Sequence, residues 1–129
     1  MYTCKTILPK TLTLTLDQLT TPFFIREKVS NRFNYANMAL AKLVGLRSPD
    51  IITGRLDNEI PANLFDNEDS ATLWQKQVHD VALNQEAITT LEIHPGAVDH
   101  PYISQKMPFY NNEEECIGMS GFIRHLDFF

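Results

Sequence analysis

Cysteine is scarce in this sequence: Cys4 and Cys116 stand at opposite ends of 129 residues. Disulfide-stapled secreted domains show a denser, even-numbered pattern, so both read as reduced thiols of a cytosolic protein. Long apolar runs are lacking too. None approaches the roughly 18 residues that span a bilayer. Met1 to Lys10 carries Lys5 and Lys10 with no apolar stretch behind them, which disfavours a secretory signal. The five glycines are scattered and form no phosphate-cradling loop. There is no internal repeat, no low-complexity stretch and no Gly/Ser linker. Serine, histidine and aspartate occur, but no nucleophile elbow or carboxylate pair brings them together. No catalytic activity is expected.

What is present suits one globular domain with one core: 43% hydrophobic and 10% aromatic residues in a chain of domain length. The net charge of −5 is unevenly spread. Residues 1–60 hold eight Lys and Arg against five acids, a balance of +3, and residues 61–129 hold three against eleven, a balance of −8. An acidic surface repels phosphate backbones, so DNA contact is expected only through a separate C-terminal domain. The basic half reads as solvated surface.

The pattern changes type several times, which points to a mixed α and β domain. Leu12-Thr-Leu-Thr-Leu16 has period two and reads either as a strand or as the lead into a short helix near Asp17. Pro22 to Glu27 suits a first strand and Phe33 to Ala36 its return, with Val29 to Arg32 as the turn. Asn37 caps a helix with Met38, Leu40, Ala41, Leu43 and Val44 as its apolar stripe, and Gly45 ends it. Ser48-Pro49-Asp50 opens one more helical turn, closed by Gly54, and Asp57 to Leu64 is a loop or short helix. The longest helix starts at Asn67 or Asp69 and runs to about Leu83, with acids in its first turn. Strands then follow over Ala87–Ile93, Tyr102–Tyr110 and Ile117–Leu126, the last two joined by the polar turn Asn111 to Glu115. The order predicts an α+β fold: a five-stranded antiparallel sheet with short helices and one longer helix packed on one face.

This order, with particular residues at its joints, resembles the PAS domain family from about Thr21 to Arg124. Thr21-Pro-Phe-Phe-Ile-Arg26 is similar to the family's opening strand, and Phe33-Asn-Tyr-Ala-Asn-Met-Ala39 to its second strand running into a helix through asparagine. Val44-Gly-Leu46, Ile52-Thr-Gly-Arg55 and Leu56-Asp57 resemble the segment around the family's ligand cavity. Gly118 to Arg124 resembles the last strand. The resemblance implies a sensor module that binds a small ligand or a partner. Many relatives end in an Asp-Ile-Thr run that couples to a coiled coil; here His125-Leu-Asp127 stands in that place. That departure favours joining to a LuxR-type helix-turn-helix over a histidine kinase. The flavin-binding light sensors carry a cysteine just after the glycine matching Gly54; Arg55-Leu-Asp-Asn58 follows here, so that photochemistry is not expected.

Histidine is the most reactive type present. His79 lies in the long helix, where haem-binding relatives supply an axial ligand, but it falls at or beyond the edge of the Val78, Val81, Ala82 stripe and reads as a surface or partly buried residue. His94, Asp99 and His100 are metal-accepting types with no zinc spacing. Cys116 follows three glutamates, whose charge lowers thiol reactivity. The remaining site is a cavity between sheet and helices. Alternation puts Ile117, Met119, Gly121 and Ile123 on one face of the last strand, where Gly121 leaves room. Phe24, Tyr35, Leu56, Leu73, Trp74, Met107, Met119 and Gly121 are the candidate wall. The alternative is that these side chains simply fill a packed core.

The expected division is an N-terminal extension over residues 1–20 that offers a dimer contact, a PAS domain over 21–126, and the start of a linker at 127–129. The leading expectation is a cytoplasmic, homodimeric input domain of a bacterial LuxR-type transcriptional regulator. It binds an apolar or amphipathic small ligand or transmits its signal through dimerisation, and it does not contact a membrane. The rivals are a ligand-free interaction module, with Leu12 to Leu19 packed on a partner, and the sensor domain of a histidine kinase or other signalling protein.

Overall fold

The computed structural model describes residues 9–62, 65, 68–92 and 101–125, the side chain of His125 excepted. The elements are α1 (Lys10–Gln18), β1 (Phe23–Glu27), β2 (Phe33–Ala36), α2 (Met38–Leu43), two 3-10 turns (Pro49–Ile51 and Asp57–Glu59), α3 (Glu68–Asn84), β3 (Ile88–Glu92), β4 (Tyr102–Tyr110) and β5 (Cys116–His125). The strands form one antiparallel sheet in the order β2-β1-β5-β4-β3. Because β2 and β3 lie at opposite edges, the segment between them, with α2 and α3, crosses the whole sheet.

The Leu-Thr alternation over Leu12–Leu16 folds as helix α1. Thr13 and Thr15 donate through Oγ1 to the carbonyls of Pro9 (3.3 Å) and Thr11 (2.9 Å) four residues back, so the hydroxyls that would otherwise favour an extended chain are used locally. Leu16 is buried while Leu14, two residues earlier, stays 54% exposed, as a 100° step per residue requires; Leu12, one turn before Leu16 on the same side, is 43% exposed. The Asn37 carbonyl oxygen Oδ1 accepts from Leu40 N at 3.0 Å and caps α2. Gly45, at φ +81°, ends that helix in the left-handed region.

Strand alternation assigns side chains to two buried faces. Phe24 and Arg26 point inward, opposite Gly121 and Met119 of β5. Lys106 pairs with Gly121 and Ser104 with Ile123. This face meets α2, the 3-10 turns and α3, with Phe33, Leu40, Ile52, Phe65, Val78 and Val81 in the core. An aromatic chain runs through it: Phe24, Phe33, Phe65 and Trp74 lie edge to face at 5.7, 5.9 and 5.9 Å between successive centroids, each contact adding ~0.5–1.5 kcal/mol beyond its buried area. The longer helix and its short companions thus share one face. Helix α1 takes the other, where Leu16 packs with Phe23, Ile25 and Tyr35.

Close strand approach explains Gly118. A Cβ there would stand 2.0 Å from the Arg26 carbonyl oxygen, a backbone atom that cannot rotate away. Gly118→Ala is expected to pry β1 from β5 and cost at least the ~1–3 kcal/mol of an overpacked core. A thermal melt within 2 °C of the parent would contradict that expectation.

Candidate functional site

Between the inner sheet face and the helices lies a cavity that leaves about 40 Å³ for the centres of water-sized molecules, several times the ~10–15 Å³ one water needs. Its floor is Phe24 and Arg26 of β1, Tyr102, Ser104 and Lys106 of β4, and Met119 and Ile123 of β5; Phe33, Leu40, Leu43, Phe65, Trp74 and Glu92 complete the wall. The walls are mostly apolar, and the polar groups converge in two small networks.

The first is held by Arg26, 1% exposed. Its Nη1 donates to Asp57 Oδ2 at 3.0 Å, and its Nη2 donates both to Asp57 Oδ1 and to the Asn31 carbonyl, the latter at 2.7 Å. Nε reaches the same carbonyl at 3.0 Å, and the guanidinium lies 4.3 Å over the Phe33 ring. Asp57, wholly buried in the second 3-10 turn, therefore ties that turn to the sheet by a bidentate pair.

The second network joins β3, β4 and α3. Lys106 Nζ donates to Glu92 Oε1 at 2.9 Å and to Gln77 Oε1. The same Glu92 oxygen accepts from Trp74 Nε1 at 3.0 Å, and Oε2 accepts from Ser104 Oγ at 2.6 Å. Burial opposes charge on Glu92, but Lys106 and the three donated hydrogen bonds outweigh it and hold the carboxyl below its ordinary range. Burial also pushes the Lys106 ammonium below its ordinary value; Glu92 counters that in part, and Arg26 adds to it.

A carboxyl with a lowered folded pKa contributes stability that is present above its unfolded value, about 4.3, and is lost as pH falls through the folded value. The domain is accordingly expected to lose stability from pH 5 downward, and Glu92→Gln to flatten that slope in urea melts taken between pH 3 and 6. An unchanged slope in the variant would contradict the charge on Glu92.

Of the eight sequence-based wall candidates, Phe24, Trp74 and Met119 line the cavity, and Gly121 serves it indirectly. A Cβ at Gly121 would stand 2.4 Å from the Phe24 ring, so the glycine is where that ring rests. Tyr35 lies on the outer face, its hydroxyl donating to Asp17 Oδ1 at 2.6 Å. Met107 has the opposite strand parity from Lys106 and is 38% exposed. Leu73 precedes Trp74 by one helical step, which leaves it 49% exposed. Leu56 is half-buried and does not line the cavity; its neighbour Asp57 reaches inward instead. His79 is exposed on α3 and Cys116 is buried at the start of β5. His94, Asp99, His100 and Cys4 lie outside the described residues. Among the described residues no three His, Cys, Asp or Glu side chains are grouped to hold a metal, and no helix is long and apolar enough to cross a membrane.

Sequence reasoning missed the polar residues of the wall, Arg26, Glu92, Ser104 and Lys106, together with the apolar and aromatic Phe33, Leu40, Leu43, Phe65 and Tyr102. Period-two parity carried the signal, since Tyr102, Ser104 and Lys106 share a face just as Phe24 and Arg26 do.

A five-stranded antiparallel sheet in the order 2-1-5-4-3, with a cavity beneath a connection of short helices and one long one, defines the class. The chain has the fold of PAS domains. It is similar over 93% of its length to the Vibrio cholerae VqmA dimer, a LuxR-type receptor, with 27% identity and a TM-score of 0.77. VqmA bound to DPO matches 92% of it, with 27% identity and a TM-score of 0.76. The PAS domain of Bordetella pertussis BvgS matches 92% of it and is itself covered over 86%, with 15% identity and a TM-score of 0.74. The chain spans 53% and 57% of those two VqmA chains. No protein-family model and no curated protein matches it.

Proposed function

We propose that this PAS-fold domain is the input domain of a LuxR-type transcriptional regulator and binds a small neutral ligand in its cavity without transforming it. The observation that carries the reading is open space bordered by a buried, hydrogen-bonded Lys106–Glu92 pair. Burying this pair costs more than burying apolar groups of the same shape, and the open space beside it gives its remaining hydrogen-bonding positions a ligand to meet. The similarity to VqmA, which binds DPO, supports both the regulator class and the ligand site.

Size and charge limit the ligand. Adding the radius of water to a sphere of 40 Å³ gives an envelope of roughly 180 Å³, against the about 30 Å³ that one water occupies in the liquid. That suits a single small ring. Arg26 is already matched by Asp57 and Lys106 by Glu92, so a charged ligand would bring an uncompensated buried charge. A neutral ring can accept from Lys106 and donate to Glu92 while stacking among Phe24, Phe65 and Trp74.

Trp74 is the sole tryptophan and lines the cavity, so its emission reports occupancy. Small molecules released by denaturing the purified domain are expected to shift the Trp74 emission when returned to refolded, stripped protein. An extract that leaves the spectrum unchanged in saturating amount would count against the reading.

The domain acts as a cytoplasmic homodimer in this proposal, with α1 packed against the α1 of a second copy and the leucines Leu12 and Leu14 on either side of that helix. Both are exposed, and the VqmA to which the chain is similar is a dimer. Leu12→Lys with Leu14→Lys is expected to halve the mass measured by light scattering; an unchanged mass would place the contact elsewhere. DNA contact belongs to a further domain of the regulator.

A further inference from the structure

We infer that Asn37 relays the state of the cavity to helix α1. The inference rests on the cavity being a ligand site and adds how its occupancy leaves the inner face of the sheet.

Asn37 is wholly buried, and its amide makes four hydrogen bonds to three parts of the chain. Oδ1 accepts from Leu40 N and from Phe23 N, each at 3.0 Å. Nδ2 donates to the Leu16 carbonyl at 3.1 Å and to the Thr21 carbonyl at 2.9 Å. The acceptor side therefore holds α2 and the start of β1, which supply Leu40 and Phe24 to the cavity wall. The donor side holds the last turn of α1 and its link to β1, on the opposite face of the sheet. One side chain thus joins a ligand-facing helix to a helix that no ligand touches, and every position for a hydrogen bond on its amide is filled. A capping residue needs only the bond to Leu40 N; the two donated bonds reach beyond what α2 requires. When a ligand moves α2 or the Phe24 ring, Asn37 cannot keep all four bonds unless α1 moves too. A dense, hydrogen-bonded joint of this kind passes small shifts on as repositioning of a whole element.

The chain itself supplies a trigger that needs no ligand. Gly121→Ala puts a Cβ 2.4 Å from the Phe24 ring, at the flexible end of that side chain, and so pushes the ring toward the cavity. Asn37→Asp keeps both acceptor bonds and removes both donors. Amide hydrogen exchange of residues 16–21 is then measured in the parent, in each single variant and in the double variant. Gly121→Ala is expected to change that exchange several-fold in the parent background and to leave it unaltered in the Asn37→Asp background. Tyr35→Phe, which removes the other side-chain tether of α1, is expected to preserve the response. Equal responses with and without the Asn37 donors, no response in α1 at all, or a response lost with Tyr35→Phe would each overturn the relay. Should the Asp variant fail to fold, Asn37→Ser, which retains a capping oxygen and lacks the two Nδ2 donors that reach Leu16 and Thr21, replaces it in the same four-way comparison. The outcome is independent of whether a natural ligand is found, so failure of the relay and failure of the ligand reading are separable.

Discussion

Asp57→Ala is expected to destabilise the domain by about 3–5 kcal/mol, the usual cost of stripping one partner from a buried ion pair, and to lower the melting temperature by on the order of 15 °C. The reason is what the substitution leaves behind. Arg26 is 1% exposed beneath the Phe33 ring, and without Asp57 its Nη1 loses the partner it has at 3.0 Å. The Asn31 carbonyl, already accepting from Nε and Nη2, cannot balance a full charge. The second 3-10 turn is also cut loose from β1, because Asp57 is its inward anchor. A double variant, Arg26→Met with Asp57→Leu, removes both charges and is expected to regain most of the loss, since well-packed apolar groups replace a buried pair at little net cost. Thermal melts of the three proteins decide the matter. A single variant within 1 kcal/mol of the parent would mean that water reaches the guanidinium and that the pair is not sealed.

The second large effect is expected from Lys106→Met, and it separates stability from binding by pH. Removing the ammonium leaves Glu92 with burial opposing its charge and only Ser104 and Trp74 supporting it. With the counter-charge gone, its folded pKa is expected to rise above the unfolded value near 4.3. An acid whose folded pKa is raised stabilises the fold only while protonated, so stability declines as pH climbs through that folded value, the reverse of the parent's acid-side slope. The variant is expected to lie about 3–5 kcal/mol below the parent at pH 8 and to approach it near pH 5. Ligand retention is lost at both. Urea melts at the two pH values, with Trp74 emission as the probe, give both quantities; a constant gap between variant and parent would contradict the role of Lys106 as the counter-charge of Glu92.

Much of the fold could be read from the chain because local signals agreed. The Asn37 cap, the Gly45 stop, the acids opening α3 and the alternating strands β4 and β5 each fix an element within a residue or two of its place. Leu12–Leu16 stayed open between strand and helix because Leu and Thr suit either, and only the tertiary seat of Leu16 against Phe23, Ile25 and Tyr35 decides. The cavity was less legible, and one physical cause accounts for the misassigned strand residues. Both faces of the sheet are partly buried, so apolar character does not distinguish them. Met107 and Tyr35 are apolar or aromatic and were natural wall candidates, yet they share the outer face with α1. The inner face carries Arg26, Ser104 and Lys106, which a rule of greasy interiors discards. A buried cation declares itself in a sequence only through the parity it shares with neighbours such as Phe24 and Tyr102.

The most direct test of the central claim is the mass of the intact purified domain in its native state against its denatured mass, taken for the parent and for Lys106→Met. The account predicts a parent heavier than its polypeptides by one small neutral molecule per chain, and a variant with no excess. Bare chains in the parent, or an adduct that survives Lys106→Met, would contradict the cavity as a ligand site built on that lysine.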